Sequence, residues 1–236
     1  MTRSTPFWHW DYTGSMTILL SLIIVSVIIG LLSLVMLADR GRRNSLLRQA
    51  ADQLGLKFRP YASLSQPVRQ AQFHLIECGQ FRHFRYLLEG EFQQRPVNIF
   101  DYSLVNQQGA STQTVVLLHC PLDGKANWRL QCWQKHWLRG DALTDQQPLT
   151  LTPLSPHQKP AGLRKWHIAS SEVGLVQPYL AILEQWCLAH PHLHIEYAAG
   201  MLMLYRPQYE LAAEHLEQAL QAGCELCQRL ATPQAA

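Results

Sequence analysis

This sequence carries no charge where it is most apolar, and it carries no motif of enzyme chemistry. No charged residue lies between Asp11 and Asp39. The remaining sequence shows no Ser, His and Asp order typical of a hydrolase, no glycine-rich phosphate loop and no paired carboxylates at a catalytic spacing. These absences disfavour the recognisable classes of enzyme, and the sequence predicts no cofactor.

An excess of positive charge is missing as well. The chain has 20 Lys and Arg residues against 17 Asp and Glu residues, which gives a formal net charge of +3. Part of the basic set directly follows the uncharged stretch, at Arg40, Arg42, Arg43 and Arg48. The rest of the chain is therefore close to neutral, whereas a nucleic-acid-binding protein usually carries a basic face or stripe. We expect no nucleic acid among the partners.

The uncharged stretch predicts a transmembrane helix over residues 16–38. Roughly 20 apolar residues cross the hydrocarbon core of a bilayer. A signal peptide has a shorter apolar core, about 7–15 residues, and a small-residue cleavage site that is not found here. A buried helix of a soluble protein is seldom apolar on every face for so long. The chain thus divides into a short tail (1–15), the helix (16–38) and a domain (39–236).

The flanks of this helix predict its orientation. Short flanks rich in Arg and Lys stay cytoplasmic, and only Arg3 precedes the helix. We therefore expect a single-pass protein of a bacterial inner membrane, with its N-terminus outside and its domain in the cytoplasm. Aromatic rings before the helix favour the outer headgroup layer. The membrane-interface residues are Trp8, Trp10 and Tyr12 on one side, and Arg40, Arg42 and Arg43 on the other.

Small residues and cysteines leave two questions open. Ser26, Gly30 and Ser33 lie near one helix face, where small side chains allow two helices to approach closely, so a homo-oligomer is one expectation. Most of the six cysteines stand among apolar neighbours, and the expected compartment keeps thiols reduced, which favours small core residues. Cys224 and Cys227 have the spacing of half a zinc site or a redox pair, the alternative interpretation.

Alternating apolar and polar residues predict an α+β domain with an antiparallel sheet. The expected strands are His83 to Phe92, Val97 to Val105 and Thr112 to Cys120, joined by short loops. The third is apolar on both faces, so we expect it at the centre of the sheet. A strand near Trp128 to Trp133 would be an additional or edge strand.

Amphipathic helices are expected to cover this sheet. Their apolar faces predict one helix from Leu175 to Leu188 and another from Tyr209 to Leu230. A further short helix, Asn44 to Gly55, would leave the bilayer. Residues 141–162 repeat proline among polar residues, which predicts a loop or insertion without packed structure.

Two clusters are the candidates for site chemistry. In a strand, His192, His194 and Glu196 would share one face, where they could bind a metal or simply form a solvated polar face. Asp101 stands inside an apolar strand. Its carboxylate would be buried with a raised pKa, face the solvent, or pair with a base such as Arg85.

Several strand patterns resemble a loosely defined group of bacterial membrane-anchored proteins without an assigned function. The shared patterns are an L-G-L-x-(F/Y) run at Leu54 to Phe58, V-x-(I/V)-F-D-Y at Val97 to Tyr102, Q-T-V-V-L-L at Gln113 to Leu118, and a strand pair at Ile195 to Arg206. The resemblance implies a bacterial inner-membrane protein with a cytosolic α+β domain, and it carries over no catalytic residue.

Three functions are compatible with these observations. The first is a membrane-anchored interaction or assembly module without catalysis, whose partners are the bilayer and another membrane or cytosolic protein. The second is a small-ligand or metal-sensing domain that uses His192, His194 and Glu196. The third is an enzyme of the membrane surface, which rests on Asp101 alone.

Overall fold

The computed structural model describes residues 12–61, 63–77, 80–106, 109–125, 127–134 and 151–232. The chain divides into two compact units, Met1–Ser45 and Leu46–Ala236. The described parts consist of an N-terminal apolar helix and an α+β unit built on one antiparallel sheet. The fold class expected from the sequence is therefore confirmed.

The apolar stretch lies within a long helix, α1 (Tyr12–Leu54). The large apolar side chains described between Ile18 and Leu37 are 50% to 67% exposed. A core helix of a soluble protein would bury such side chains, whereas α1 is long and apolar enough to cross a membrane. The amphipathic segment Asn44 to Gly55 continues this helix and is not a separate one.

Helix α1 ends at Leu54, directly before Gly55, where the expected short helix also ends. Gly55 adopts a positive φ of 68°, which a residue without Cβ adopts at little cost. The amide of Leu56 donates to the carbonyl of Ala51 at 2.8 Å, and the amide of Gly55 donates to Asp52 at 3.3 Å. These bonds satisfy carbonyls that the last turn of a helix leaves open. Gly55 thereby directs the chain into the first strand.

Nine strands of the described chain form one antiparallel sheet. They are β1 (Lys57–Tyr61), β2 (Gln80–Phe92), β3 (Arg95–Asn106), β4 (Gly109–His119), β5 (Leu130–Gln134), β6 (Thr152–Pro153), β7 (Trp166–Ser170), β8 (His194–Ala198) and β9 (Met201–Tyr205). Their spatial order is β1-β2-β3-β4-β9-β8-β5-β7-β6. Strands β1 to β4 pair in chain order and form an N-terminal meander, and the hairpin of β8 and β9 joins this meander to β5, β7 and β6.

The sequence located β4 correctly inside the sheet, and it left open whether β5 is an additional inner strand or an edge strand. Strand β4 lies inside the sheet between β3 and β9, as its apolar character on both faces predicted. Strand β5 is not an edge strand, because it pairs with β7 on one side and with β8 on the other. Its side chains Leu130 and Cys132 are accordingly buried.

Two apolar cores cover the two faces of the sheet. One core contains residues of α5 (Leu180–Ala189) and α6 (Leu216–Ala231), which pack on one face. The other contains residues of the short helices α2 (Gln66–Gln70) and α3 (His74–Glu77) on the opposite face. A shorter helix, α4 (Val173–Val176), precedes α5. Helix α6 begins at Leu216 rather than at the expected Tyr209, because residues 206–212 run along β4 instead.

The described half of the proline-rich region is packed at two positions. Residues 135–150 lie outside the described chain, but Leu151 and Leu154 are buried. Strand β6 pairs with β7, and a single turn of 3-10 helix follows at Pro156–Gln158. The expectation of a loop without packed structure is therefore wrong at Leu151 and Leu154, whereas residues 152–153 and 155–158 are exposed. The prolines there separate leucines that enter the core.

Candidate functional site

A cavity of about 350 Å³ lies where α5 ends and α6 begins, against strands β4 and β9. Its floor is apolar and consists of Val116, Leu193, Leu204, Ala219 and Ala222. Val116 and Leu204 are buried partners on adjacent strands. Because the two α6 residues are alanines, their small side chains leave room between the helix and the sheet.

The mouth of the cavity is polar and rich in nitrogen. Its residues are His190, His192, Arg206, His215 and Gln218. Among them, Arg206, His192 and His215 are exposed. No Asp or Glu is among the described residues that line the cavity. The arrangement combines an apolar interior with a mouth that favours negative charge.

One wall of the cavity belongs to an irregular segment, residues 206–212, which we call the strap and which contributes Arg206, Tyr209 and Leu211. The amide of Thr114 donates to the carbonyl of Tyr209 at 3.0 Å. The Thr114 hydroxyl accepts from the amide of Leu211 at 2.9 Å and donates to the Asp101 carboxylate at 2.7 Å. A buried threonine therefore connects the strap to both β4 and β3.

Asp101 is part of this structural network. Its side chain is only 4% exposed, so the interpretation in which it faces the solvent is wrong. Arg85 lies directly opposite Asp101 in the register of β2 and β3, and an ion pair between them stays a prediction. The hydroxyl contact with Thr114 gives the Asp101 carboxylate a direct structural role.

The predicted group His192, His194 and Glu196 is divided by the fold. His192 lies in an exposed turn at the cavity mouth, before β8 begins at His194. His194 and Glu196 share one strand face as expected, but they are 4% and 2% exposed. The expected solvated face is therefore wrong. Helices α2 and α3 and their core cover the side of the sheet that carries Glu196.

Glu196 connects strand β8 to the start of helix α3. Its carboxylate accepts from the amide of His74 at 2.7 Å and from the amide of Leu75 at 3.1 Å. It also accepts from the Tyr205 hydroxyl at 3.0 Å. Burial raises the pKa of Glu196 above its ordinary value, although the nearby His74 and these hydrogen bonds oppose the shift. The carboxylate thus serves as a cap for a helix far away in the sequence.

His194 belongs to a row of rings that crosses four strands. Its ring lies 5.2 Å from Tyr205 and 5.8 Å from Trp133, measured between centroids. Trp133 in turn stacks on His167 at 4.2 Å. Such contacts between neighbouring strands stabilise a sheet. Within the described residues, no group of three or more His, Cys, Asp or Glu residues is arranged to hold a metal, and metal binding by His194 stays a prediction.

The cysteine pair lies in the core of the domain. Cys224 and Cys227 are 4% and 0% exposed on the inner face of α6. A hydrogen bond with Cys120, followed by burial, raises the pKa of Cys227, and burial raises the pKa of Cys224. A raised pKa keeps a thiol protonated, which disfavours both metal binding and nucleophilic attack. Zinc or redox chemistry at this pair stays a prediction.

The membrane-interface residues are only partly within the described chain. Trp8 and Trp10 lie outside it, and Tyr12 begins helix α1 with its side chain undescribed. Arg40 and Arg42 are exposed, and Arg43 is partly buried. The structure contains no bilayer, so their interface role stays a prediction.

The sequence patterns did not identify several residues of the cavity mouth as site residues. His190 stands beside the predicted histidines, and its ring stacks on Trp186 at 4.3 Å between centroids. Arg206 closes the strand pattern of the family resemblance, and His215 precedes α6. Only the return of the chain along β4 brings these residues together, so a pattern of local periodicity could not identify them.

Substitution of Thr114 by valine tests the attachment of the strap. The variant deprives the buried Asp101 carboxylate of a donor and the Leu211 amide of an acceptor. We expect the free energy of unfolding to fall by about 1–3 kcal/mol, measured by urea denaturation. Thr112→Val is the control, because the hydroxyl of Thr112 shares a hydrogen bond with the hydroxyl of Ser103, and this pair is partly exposed to solvent. Equal losses in both variants would contradict the role of Thr114.

The pH dependence of stability tests the burial of Glu196. A carboxyl group with a raised folded pKa contributes stability below its unfolded pKa, about 4.3, and loses that contribution as the pH rises through the folded pKa. The advantage of the wild type over Glu196→Gln should therefore shrink as the pH rises above about 4. Urea denaturation across pH 4–8 measures this difference, and Glu91→Gln on the exposed surface is the control. An advantage that grows with pH would refute the assignment.

Comparisons with known proteins identify a shared fold. No protein-family model matches the chain, and no curated protein matches it significantly. Among solved structures, it is similar to the crystal structure of the mycobacterial trehalose monomycolate transport factor A, TtfA, with a TM-score of 0.56 and 9% sequence identity. The match covers 84% of this chain and 98% of that chain. At this identity the similarity establishes the fold alone.

Proposed function

We propose that this protein is a non-catalytic interaction or assembly module, anchored by α1 in a bacterial inner membrane. The observation that carries the proposal is the exposure of every large apolar side chain described from Ile18 to Leu37. Such a continuous apolar surface is unfavourable in water and is satisfied by lipid. The domain from Leu46 onward has its own core, so the helix can anchor a folded unit.

The basic flank supports a cytoplasmic domain. Arg40, Arg42 and Arg43 follow the apolar segment, and positive residues at a helix end are retained on the cytoplasmic side. The same side chains would contact anionic headgroups of the inner leaflet. In this orientation the domain works at the cytoplasmic surface, where it can hold a second protein close to the bilayer.

The fold relative also supports a role without catalysis. TtfA is described as a transport factor for trehalose monomycolate, and that description includes no reaction. The buried carboxylates of this chain, Asp101 and Glu196, hold structural elements together and are not directed into the cavity floor. An enzyme of the membrane surface, which depended on Asp101, is therefore the weakest of the three hypotheses.

A ligand-sensing role is a second candidate, and the cavity favours it. His192, one of the site residues predicted from the sequence, lines the cavity. Metal sensing by His192, His194 and Glu196 receives less support, because Glu196 already accepts three hydrogen bonds. Small-molecule binding is consistent with the interaction module, since a ligand could regulate assembly.

Arginine substitutions within α1 test the proposal. In full-length protein, Ile24→Arg combined with Ile28→Arg places two charges in the apolar segment, each costing about 2.5–3.5 kcal/mol on insertion scales. We expect the wild type to remain in membranes after carbonate extraction and to keep its full mass of 27.0 kDa. In those membranes it should also crosslink to a protein partner in a stoichiometric amount. The double variant should be extracted and lose that crosslink.

The matched control is the double alanine variant at the same two positions, which should behave as the wild type. A chain shortened at its N-terminus would indicate a cleaved signal and contradict the anchor. Membrane retention without any stoichiometric partner would contradict the assembly role while leaving the anchor intact.

A further inference from the structure

We propose that the cavity between α5, α6 and the strap binds a single-chain amphiphile with an anionic head group. The apolar chain would lie on the floor of the cavity, and the head group would contact Arg206 and the histidines of the mouth. This inference goes beyond the anchoring and assembly role, because it identifies a ligand class for a site within the domain.

The size of the cavity fits one ligand chain. Its volume of about 350 Å³ lies at the lower end of the roughly 300–1,000 Å³ typical of small-molecule sites. A lipid with two chains would need more space. The cavity is therefore suited to a fatty acid or another molecule with one chain rather than to an intact phospholipid.

The floor offers apolar surface without polar competition. Leu193 and Leu211 are only partly buried although both pack against the main core, and Val116 and Leu204 form the base. Apolar side chains that line a cavity lack protein contacts on one side, and a methylene chain would supply such contacts. Helix α6 contributes Ala219 and Ala222 to the cavity, and these small side chains leave room for the methylene chain of the ligand.

The mouth supplies the complementary charge. The guanidinium of Arg206 lies 4.5 Å from the centroid of the Tyr209 ring, a stacked position that orients a planar cation. Histidines 190, 192 and 215 surround the same opening. Two acidic residues that are close to the mouth in sequence, Glu210 and Glu214, are exposed and do not line the cavity. An anionic head is therefore favoured over a cationic one.

Photolabelling of full-length protein in phosphatidylcholine nanodiscs tests this inference. The probe is a C12 fatty acid with a diazirine near the end of its chain, and the matched neutral probe is the corresponding fatty alcohol. Labelled peptides are identified by mass spectrometry, and labelling of α1 by lipid-dissolved probe serves as the internal reference. We expect the acid to label peptides of the cavity, and excess unlabelled dodecanoate to suppress that labelling but not the labelling of α1.

Two variants distinguish the floor from the mouth. Ala219→Phe fills the cavity and should reduce cavity labelling at least fivefold for both probes. Arg206→Gln should reduce labelling by the acid about threefold or more and leave labelling by the alcohol unchanged. The controls are Ala231→Phe, exposed on the same helix, and Arg164→Gln, exposed away from the cavity. Both controls should label as the wild type.

The inference would be overturned by labelling confined to α1, by cavity labelling that dodecanoate does not suppress, or by equal effects of Arg206→Gln on both probes. If Ala219→Phe loses the circular dichroism spectrum of the wild type, the wild-type protein decides the question. Excess dodecanoate should then suppress cavity labelling by the acid probe more strongly than excess dodecanol does. None of these outcomes bears on membrane retention, which carbonate extraction measures separately.

Discussion

The pairing of β4 with β9 is the constraint on which the rest of this domain depends. It joins residues 115–119 to residues 201–205, and without it the N-terminal meander and the C-terminal strands would be separate sheets. Both faces of the sheet gain a continuous core from this pairing, since alternate residues of β9 face opposite sides. The cavity exists because the chain leaves β9 at Arg206 and returns along β4.

Buried polar groups then determine how the outer elements attach to this sheet. Glu196 holds the start of α3 on one face, and Thr114 holds the strap on the other. Each group accepts at least one hydrogen bond from a backbone amide of the attached element, and loss of such a bond in a buried or partly buried place costs more than its net contribution to stability. Groups of this kind favour one arrangement over alternatives that would pack similar apolar surface. They also give the buried carboxylates Asp101 and Glu196 a structural role.

Local patterns in the sequence predicted the apolar helix, the strands of the meander and the C-terminal hairpin. Those features depend on residue periodicity and on single residues such as Gly55, whose positive φ ends α1. The strand order could not be predicted, because β4 pairs with a strand distant in sequence. For the same reason the face of His194 and Glu196 was wrongly expected to be solvated: the covering helices come from residues 66–77. Residues 209–215 have helical periodicity, but hydrogen bonds to Thr114 hold their first part extended.

The cavity follows from the same tertiary arrangement. Of its mouth, the sequence singled out only His192, and it did so for a metal site. Arg206 and His215 have no sequence motif in common, and both line the cavity because the strap returns beside β4. Under both proposals together, occupancy of this cavity would regulate the assembly of a partner by the anchored domain.

Hydrogen exchange of the full-length protein would test the central claim most directly. If the β4–β9 pairing unites the domain, the amides of Val116, Leu118, Leu202 and Leu204 should exchange last and with one common free energy of opening, equal to that of global unfolding. Distinct opening free energies for β1 to β4 and for β5, β7, β8 and β9 would instead reveal two independent units and contradict the account.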